Sequence, residues 1–293
     1  MIVVKLWGGL GNQLFQYAFG YAMAKKHCDK VSFDIEFYQN QPLNVGKREV
    51  EIEKYFSLSK YQVINRPKQV RILENRVINR LIRIYPGFNC SLPGNVFFVK
   101  EKTHTYMESI PYFEGKINYY DGYWQSPRYF DWCENDIRNE YTLKKNYQDA
   151  INPALCKIKG NSVSVHIRRG DYLIRKNLPL GYSESDLLDY YDRAISFVRN
   201  EVKNPIFYFF SDDIEWCRER YNYIADAVFM NSEGQYPALQ DFYSMSKCEN
   251  GIISASTFSW WAKWIGERNQ GITIIPKGNY ANDFFAEQSW IKL

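Results

Sequence analysis

The sequence lacks a long apolar run and the common zinc-binding spacings. No segment approaches the ~18 consecutive apolar residues of a transmembrane helix. The N-terminal stretch is interrupted by Lys5, Asn12, Gln13 and Gln16, which makes it a poor signal peptide. The six cysteines form no CxxC pair, and the three histidines do not lie at ligand spacing from any of them. We therefore expect a cytoplasmic protein with reduced thiols, no transmembrane segment and no metal site.

A large charge imbalance is also absent. The 293 residues include 37 Lys and Arg against 33 Asp and Glu, and the net charge of +4 is too small to indicate a nucleic-acid partner. Hydrophobic residues at 45% and charged residues at 24% exclude a disordered chain, a collagen and a coiled coil. Aromatic residues are in excess, at 17%. Rings stack on sugars and bases and also fill cores, so this excess alone does not identify a ligand.

The second half of the chain, from about residue 161 to 276, alternates short apolar runs with helical stretches. We predict strands at Ser162–Ile167, Ile206–Ser211, Ala227–Met230, Gly251–Ser254 and Ile272–Ile275, and helices at Ser183–Val202, Glu215–Tyr221, Ala238–Lys247 and Phe258–Arg268. Strands that are apolar on both faces and separated by helices indicate a parallel sheet covered on both sides. Ligands of such sheets bind beyond the carboxyl ends of the strands.

The first half is less regular. We predict strands at Ile2–Leu6, Val31–Asp34 and Asn118–Trp124 and a helix at Asn12–Lys26, whereas residues 40–115 show no clean period. Residues 144–159 are polar and interrupted by proline, which is typical of a domain boundary. We therefore predict two α/β domains, 1–150 and 151–293.

A glycine-rich turn, Gly8–Gln13 (GGLGNQ), follows the first predicted strand. Such a turn lets a ligand approach the backbone at a helix N-terminus. A dinucleotide fingerprint would need a glycine where Leu14 stands, although Asp34 ends the next strand at a suitable distance. A purely structural turn is the alternative. The adjacent amides of Asn12 and Gln13 are suited to hydrogen-bonding sugar hydroxyls.

The segment His166–Asp171 (HIRRGD) ends the first strand of the second half. Two adjacent arginines are unfavourable to bury without anions, and a guanidinium matches phosphate oxygens with a fork of donors. Because neighbouring side chains on a strand point to opposite sides, we expect Arg168 and Arg169 to differ. One would contact a phosphate or sugar and the other would brace the loop with Asp171. The alternative is a surface salt bridge beside a satisfied His166.

Adjacent acids follow the next strand in Ser211–Trp216 (SDDIEW). They do not form the DxD pattern of a metal site, and only one of two successive side chains on a strand faces a ligand. Either Asp212 or Asp213 could accept the two N–H groups of a guanine edge. Helix capping by Ser211 or Asp212 is an equally good interpretation and does not exclude ligand binding.

Small hydroxyl residues open the last helix in Ser254–Trp261 (SASTFSWW). Backbone N–H groups, hydroxyls and the helix dipole at such a start can hold an anion. We expect Trp260, Trp261 and Trp264 to serve packing more than ligand stacking. Two arginines, an acid and this helix start at the strand ends of one sheet suit a nucleoside diphosphate. The absence of a GxxxxGK[ST] motif argues against an ordinary kinase or NTPase.

Five motifs, taken together and in order, resemble the alpha-1,2-fucosyltransferases of glycosyltransferase family 11. They are Gly8–Phe19 (GGLGNQLFQYAF), Gly122–Ser126 (GYWQS), His166–Asp171, Phe210–Trp216 (FSDDIEW) and Ser256–Trp264 (STFSWWAKW). The resemblance implies a GT-B-like architecture with two Rossmann-like domains facing across a cleft. It makes 1–150 the acceptor-side domain and 151–293 the GDP-fucose-binding domain. It also implies inversion at the anomeric carbon and no required metal or cofactor.

The same resemblance implies roles for individual residues. It implies that Asn12 contacts the reacting hydroxyls. No general base is obvious, since Asp171 lies in a suitable motif but is equally suited to holding an arginine in place. The donor residues it implies are Arg168 and Arg169 on the phosphates and sugar, His166 on the nucleoside, Asp212 or Asp213 on the guanine side, and Ser256, Thr257 and Phe258 around the pyrophosphate.

The expected reaction is transfer of L-fucose from GDP-fucose to the 2-hydroxyl of a terminal galactose on a glycan. The expected partners are this donor and a galactose-terminated acceptor, with no nucleic acid; membrane-surface contact, the second acceptor sugar and the oligomeric state stay open. A nucleotide-dependent oxidoreductase is one alternative and would bind its cofactor in the first half, at the glycine turn and Asp34. A non-catalytic carbohydrate-binding protein is the other and would bind sugar without dependence on GDP.

Overall fold

The structure is a computed structural model that describes residues 1–41, 47–73, 75, 78, 80, 88–102, 106–170, 183–266, 271–278 and 289–293. The chain divides into two compact units, Met1–Lys144 and Lys145–Leu293, whereas the sequence analysis places the boundary near residue 150. In the described ranges each unit has a sheet of six strands. Across the described ranges, no helix is both long enough and apolar enough to span a bilayer.

The first unit has the strand order β3-β2-β1-β6-β5-β4, and every neighbouring pair is parallel except β4 with β5. Its strands are β1 (Ile2–Lys5), β2 (Val31–Asp34), β3 (Val63–Ile64), β4 (Asn89–Leu92), β5 (Val96–Lys100) and β6 (Ile117–Asp121). Its helices are α1 (Leu10–Lys26), α2 (Glu36–Gln39), α3 (Ile52–Tyr55), α4 (Lys68–Ile72) and α5 (Glu134–Glu140), with 3₁₀ turns at Pro127–Tyr129 and Asp131–Cys133.

Helix α1 packs tightly on the centre of this sheet. A Cβ on Gly20 would lie 3.0 Å from Val4 and 3.1 Å from Val31, so the helix approaches β1 and β2 more closely than a larger residue permits. Phe19 stacks on Trp124 with ring centroids 4.0 Å apart, and both rings are fully buried. Part of the aromatic excess of the sequence therefore fills this core.

Residues 40–115, where the sequence shows no period, contribute β3 to β5 and α3 to α4 to the first unit. The strand β5 (VFFVK) is a continuous buried apolar run rather than an alternating one, because both faces of the sheet are covered at this position. The short β3 is exposed at the sheet edge, so its two residues carry no pattern that sequence reasoning could detect.

The second unit has the order β12-β11-β10-β7-β8-β9, and all neighbouring pairs are parallel. Its strands are β7 (Asn161–Ile167), β8 (Pro205–Ser211), β9 (Ala227–Phe229), β10 (Asn250–Ile252), β11 (Thr273–Ile275) and β12 (Ile291–Lys292). Its helices are α6 (Lys145–Leu155), α7 (Glu184–Glu201), α8 (Ile214–Tyr221), α9 (Pro237–Lys247) and α10 (Thr257–Gly266). The predicted alternation of strands and helices is confirmed, and the side chain of Ser183 caps the N-terminus of α7.

Each sheet has a point beside its central strand where the chain order reverses. Beside β7 the sheet continues through β8 and β9 on one side and through β10 to β12 on the other; beside β1 it continues through β2 and β3 on one side and β6 on the other. In open parallel sheets such points hold the ligand crevice at the carboxyl ends of the strands. The candidate ligand crevices therefore lie at the carboxyl ends of β7 and β10 in the second unit and of β1 and β6 in the first.

Candidate functional site

His166 lies near the end of β7 and is buried. Its Nδ1 is 2.8 Å from the hydroxyl of Ser254, which follows β10, and its backbone carbonyl accepts a hydrogen bond from Tyr191 at 3.0 Å. Burial and the nearby Arg168 lower the pKa of His166 to about 3. The ring is therefore neutral at physiological pH and links the two strand ends at the reversal point.

Arg168 reaches toward the start of α10. Its Nη1 donates to the hydroxyl of Ser256 at 3.4 Å, and the side chain is partly buried. Ser256 itself is buried and accepts a hydrogen bond from the backbone N–H of Phe258 at 3.3 Å. The guanidinium of Arg168 thus lies beside the N-terminus of a ten-residue helix. Both groups stabilise a bound anion.

Arg169 points to a different set of partners. Its Nε is 3.2 Å from Asp213 and its Nη1 is 3.2 Å from Glu184 at the start of α7. The guanidinium carbon lies 3.7 Å from the ring centroid of Trp216. The side chain is only 13% exposed. Arg169 therefore braces the loop after β7 against α7 and α8, and the unequal surroundings expected for the two arginines are present.

The paired acids after β8 hold backbone. Asp212 accepts hydrogen bonds from the N–H of Arg169 at 2.8 Å and of Gly170 at 3.1 Å, and a Cβ on Gly170 would lie 2.6 Å from its carboxylate. Asp213 caps α8 by accepting the N–H of Trp216, so the predicted cap, Ser211 or Asp212, is wrong. Both acids shape the loop that carries the arginines, and no contact with a guanine edge is needed to explain them.

Four serines and threonines line the start of α10. Ser254 and Ser259 are buried with their hydroxyl oxygens 3.3 Å apart, whereas Thr257 and Phe258 are partly exposed. The expected packing role of the tryptophans is confirmed, since the side chains of Trp260, Trp261 and Trp264 are all buried.

Sequence reasoning missed Asp241 on α9. Its carboxylate accepts a hydrogen bond from Ser232, and burial raises its pKa to about 6. The adjacent Phe242 packs on Phe258 with ring centroids 5.3 Å apart, so Asp241 sits on a helix that contacts the start of α10. The signal was present in the sequence as an acid between the apolar residues Leu239 and Phe242 of an amphipathic helix.

Asn12 and Gln13, whose amides are adjacent in the sequence, have different surroundings after the glycine turn of the first unit. Gln13 is fully buried and ties the backbone of Glu49 and Glu51, with its Nε2 donating at 2.8 Å and its Oε1 accepting at 2.8 Å. It is therefore a structural residue, and the expectation that it binds hydroxyls is wrong. Asn12 is partly exposed, and its Oδ1 accepts a hydrogen bond from Gln125 at 2.9 Å.

Two acids that the sequence analysis singles out are Asp34 and Asp171. Asp34, the ribose-binding acid of the oxidoreductase alternative, is fully buried and is held by Arg66 at 2.6 Å and by the hydroxyl of Tyr119. These partners make it a core residue, which removes the main support for that alternative. Asp171 lies outside the described residues. Within the described part of the chain, no three His, Cys, Asp or Glu side chains are grouped as metal ligands.

The chain matches the profile of glycosyl transferase family 11 over residues 1–293. It belongs to this family. It is 33% identical to an alpha-1,2-colitosyltransferase of Escherichia coli, over 94% of this chain and 91% of the relative. It is 29% identical to galactoside 2-alpha-L-fucosyltransferase SEC1 of Bos taurus, over 49% of this chain and 41% of the relative. The predicted membership and the classification as a glycosyltransferase are therefore confirmed.

The fold of this chain is similar to that of solved fucosyltransferase structures. The fucosyltransferase NodZ from Bradyrhizobium superposes with a TM-score of 0.57 at 13% identity, over 89% of this chain and 92% of NodZ. NodZ alpha-1,6-fucosyltransferase soaked with GDP-fucose superposes with a TM-score of 0.52, also at 13% identity, over 90% of this chain and 92% of that one. The family 11 chain thus has the predicted GT-B-like fold, with two α/β units whose sheets are parallel except for β4.

Proposed function

We propose that this family 11 enzyme transfers L-fucose from GDP-β-L-fucose to the 2-hydroxyl of a terminal galactose, with inversion at the anomeric carbon. The observation that carries the proposal is the arrangement at the ends of β7 and β10, where Arg168 and the N-terminus of α10 converge through Ser256. A guanidinium and a helix N-terminus together suit the pyrophosphate of a nucleotide sugar. The galactoside fucosyltransferase relative and the GDP-fucose-soaked NodZ support this donor.

In this proposal the protein acts mainly on the charge that develops as GDP leaves. The bond between fucose and phosphate breaks toward an oxocarbenium-like state, and the diphosphate gains negative charge. A preorganised hydrogen-bond donor aimed at such charge lowers the activation free energy by about 3–4 kcal/mol. Arg168 and the N-terminus of α10 at Thr257 are the proposed donors, and neutral His166 fixes the end of β7 beside them. No metal is required, since these groups neutralise the leaving diphosphate.

The first unit is proposed to bind the acceptor. Asn12 lies in the first turn of α1, which follows β1 at the reversal point of the sheet, and its amide suits a sugar hydroxyl. The proposal leaves the general base unassigned, with Asp171 as the candidate in the arginine motif. Asp212 and Asp213 hold the loop after β7, and Asp241, a partly buried acid on α9, is the proposed candidate for the nucleoside side.

A second donor is favoured by one observation, the 33% identity to an alpha-1,2-colitosyltransferase. Colitose differs from L-fucose in lacking the 3-hydroxyl. A site that binds this hydroxyl through buried polar groups can discriminate against the deoxy sugar by as much as ~10⁴-fold. A site that binds the 3-hydroxyl is thus distinguished from one that does not by the ratio of kcat/KM for the two donors.

The deciding experiment supplies GDP-fucose and GDP-colitose separately with a panel of galactose-terminated acceptors. Products are identified by mass spectrometry, and the linkage and anomeric configuration are determined by NMR. The proposal expects an α1,2-linked fucosyl product and a higher kcat/KM for GDP-fucose. A preference for GDP-colitose would transfer the proposal to that sugar, and attachment at another hydroxyl would overturn the assigned linkage.

A further inference from the structure

A buried carboxyl follows strand β5 in the first unit. Glu101 is 4% exposed, and its two oxygens accept hydrogen bonds from neighbouring backbone N–H groups, Oε2 from Tyr123 at 2.6 Å and Oε1 from Trp124 at 2.8 Å. Its own N–H donates to the carbonyl of Asp121 at 3.0 Å. One side chain thus joins the end of β5 to the turn that follows β6.

The turn, Gly122–Ser126, has a conformation that needs such support. Trp124 has a φ of 56°, in the left-handed region that is unfavourable for a residue with a side chain. A Cβ on Gly122 would lie 2.4 Å from the Cβ of Glu101, so the turn and the carboxyl are in direct contact. Buried backbone N–H groups require acceptors. Burial raises the pKa of Glu101 to about 7, and the two N–H hydrogen bonds oppose this shift.

The turn also holds the amide of Asn12. Gln125, which is 5% exposed, donates from Nε2 to Oδ1 of Asn12 at 2.9 Å. On the other side, Nδ2 of Asn12 lies where a Cβ on Gly8 would come within 2.4 Å, and Gly8 has a φ of 83°. The hydrogen bond from Gln125 therefore orients the Asn12 amide, with Oδ1 toward Gln125 and Nδ2 toward Gly8. Because Gly8 has no side chain, there is space for Nδ2 in this orientation.

We propose that Glu101 is a positioning residue for sugar transfer, which holds the Gly122–Ser126 turn so that Gln125 orients the amide of Asn12. The proposal rests on the role given above to Asn12. Glu101 need not touch either substrate, because its two oxygens are occupied by the N–H groups of Tyr123 and Trp124. Its effect reaches the reaction through the hydrogen bond between Gln125 and Asn12.

The test compares the full-length wild type with Glu101→Gln, Asn12→Ala and the double variant. Glutamine keeps the size of the side chain but turns an NH₂ group toward one of the two N–H donors. Since a displacement of about 1 Å can cost ~10²-fold in rate, we expect Glu101→Gln to lower kcat by roughly 10- to 100-fold with GDP affinity within about twofold. In the Asn12→Ala background the same change should have almost no further effect on kcat, because the group that it positions is gone.

Glu140→Gln is the matched control. Glu140 is also a buried acid of the first unit, 7% exposed, and it accepts hydrogen bonds from Tyr17 and from the N–H of Ser59. Its substitution should lower thermal stability while kcat stays near that of the wild type. If Glu101→Gln behaves like this control, or if it lowers kcat equally with and without Asn12, the proposal is wrong.

A measurement without turnover separates this proposal from the proposed reaction. The side-chain amide signals of Asn12 are identified in a ¹⁵N correlation spectrum by their loss in Asn12→Ala. Glu101→Gln should shift or broaden them, and Glu140→Gln should not. Unchanged signals would overturn the positioning role even if fucose transfer is established. Shifted signals would support it even if the donor proves to be another sugar. Wild-type turnover in Asn12→Ala would remove the positioning role and leave transfer itself standing.

Discussion

The two arginines after β7 should respond differently to the same substitution. Arg168 donates a long hydrogen bond to Ser256, at 3.4 Å, beside the N-terminus of α10. Arg168→Lys keeps the charge but loses the fork of donors that matches phosphate oxygens. One charge-assisted hydrogen bond contributes ~1.5–3 kcal/mol, which is about 10- to 150-fold. If the contact strengthens as GDP departs, the loss appears in kcat with little change in GDP affinity.

Arg169 should affect stability more than turnover. Arg169→Ala removes ion pairs to Asp213 and Glu184, whose side chains are 42% and 57% exposed, so each pair contributes only ~0.2–1 kcal/mol. It also removes the contact with the Trp216 ring, worth ~0.5–2 kcal/mol. Together these amount to about 1–4 kcal/mol of unfolding free energy. Arg169→Lys should recover part of this loss because it keeps the charge.

The assay combines thermal unfolding, GDP binding by calorimetry and initial rates with saturating donor for four variants, which are Arg168→Lys, Arg168→Ala, Arg169→Lys and Arg169→Ala. The expected pattern is a folded Arg168→Lys protein with strongly reduced kcat and an Arg169→Lys protein with reduced stability and a kcat within a few-fold of wild type. Near wild-type kcat in both Arg168 variants would place the donor charge elsewhere. A folded, stable Arg169→Lys protein without turnover would reverse the two roles.

The fold of the second unit was predictable because its strands are continuous apolar runs between helices. Strands β7 and β8 bury nearly every residue, and such runs are visible in sequence. In the first unit the exposed edge strand β3 and the antiparallel β4 have mixed exposure, and their pairing depends on β2 and β5. Contacts between distant segments set these strands, and local patterns do not report them.

The sequence identifies the motifs of the candidate site, but it does not predict which residues contact the side chains of those motifs. The sequence places Arg168 beside Arg169, and neither residue type nor spacing predicts that Asp213, Glu184 and Trp216 surround Arg169. The amides of Asn12 and Gln13 are adjacent in the sequence, yet the buried side chain of Gln13 is hydrogen-bonded to the backbone of Glu49 and Glu51. Which side of a helix start meets the core is decided by elements far along the chain.

Three further predictions concern metal, Asn12 and pH. Activity should survive excess EDTA, because Arg168 and the α10 N-terminus supply the positive charge; loss of activity that Mn²⁺ or Mg²⁺ restores would contradict this. Asn12→Ala should lower kcat at least ~10-fold, the loss of roughly one hydrogen bond to a reacting group, with little change in GDP affinity, and equal kcat would return the turn to a structural role. His166 has a pKa near 3 in the folded protein against 6.5 in the unfolded chain. Between these values the unfolded state binds more protons, so acidification below pH 6.5 should destabilise the fold by up to ~1.4 kcal/mol per pH unit through this residue. Denaturant titrations of wild type and His166→Asn from pH 7.5 to 4.5 isolate that contribution, because asparagine does not titrate. The difference in unfolding free energy between the two proteins should shrink as the pH falls, and a difference independent of pH would mean that His166 is not held neutral in the folded state.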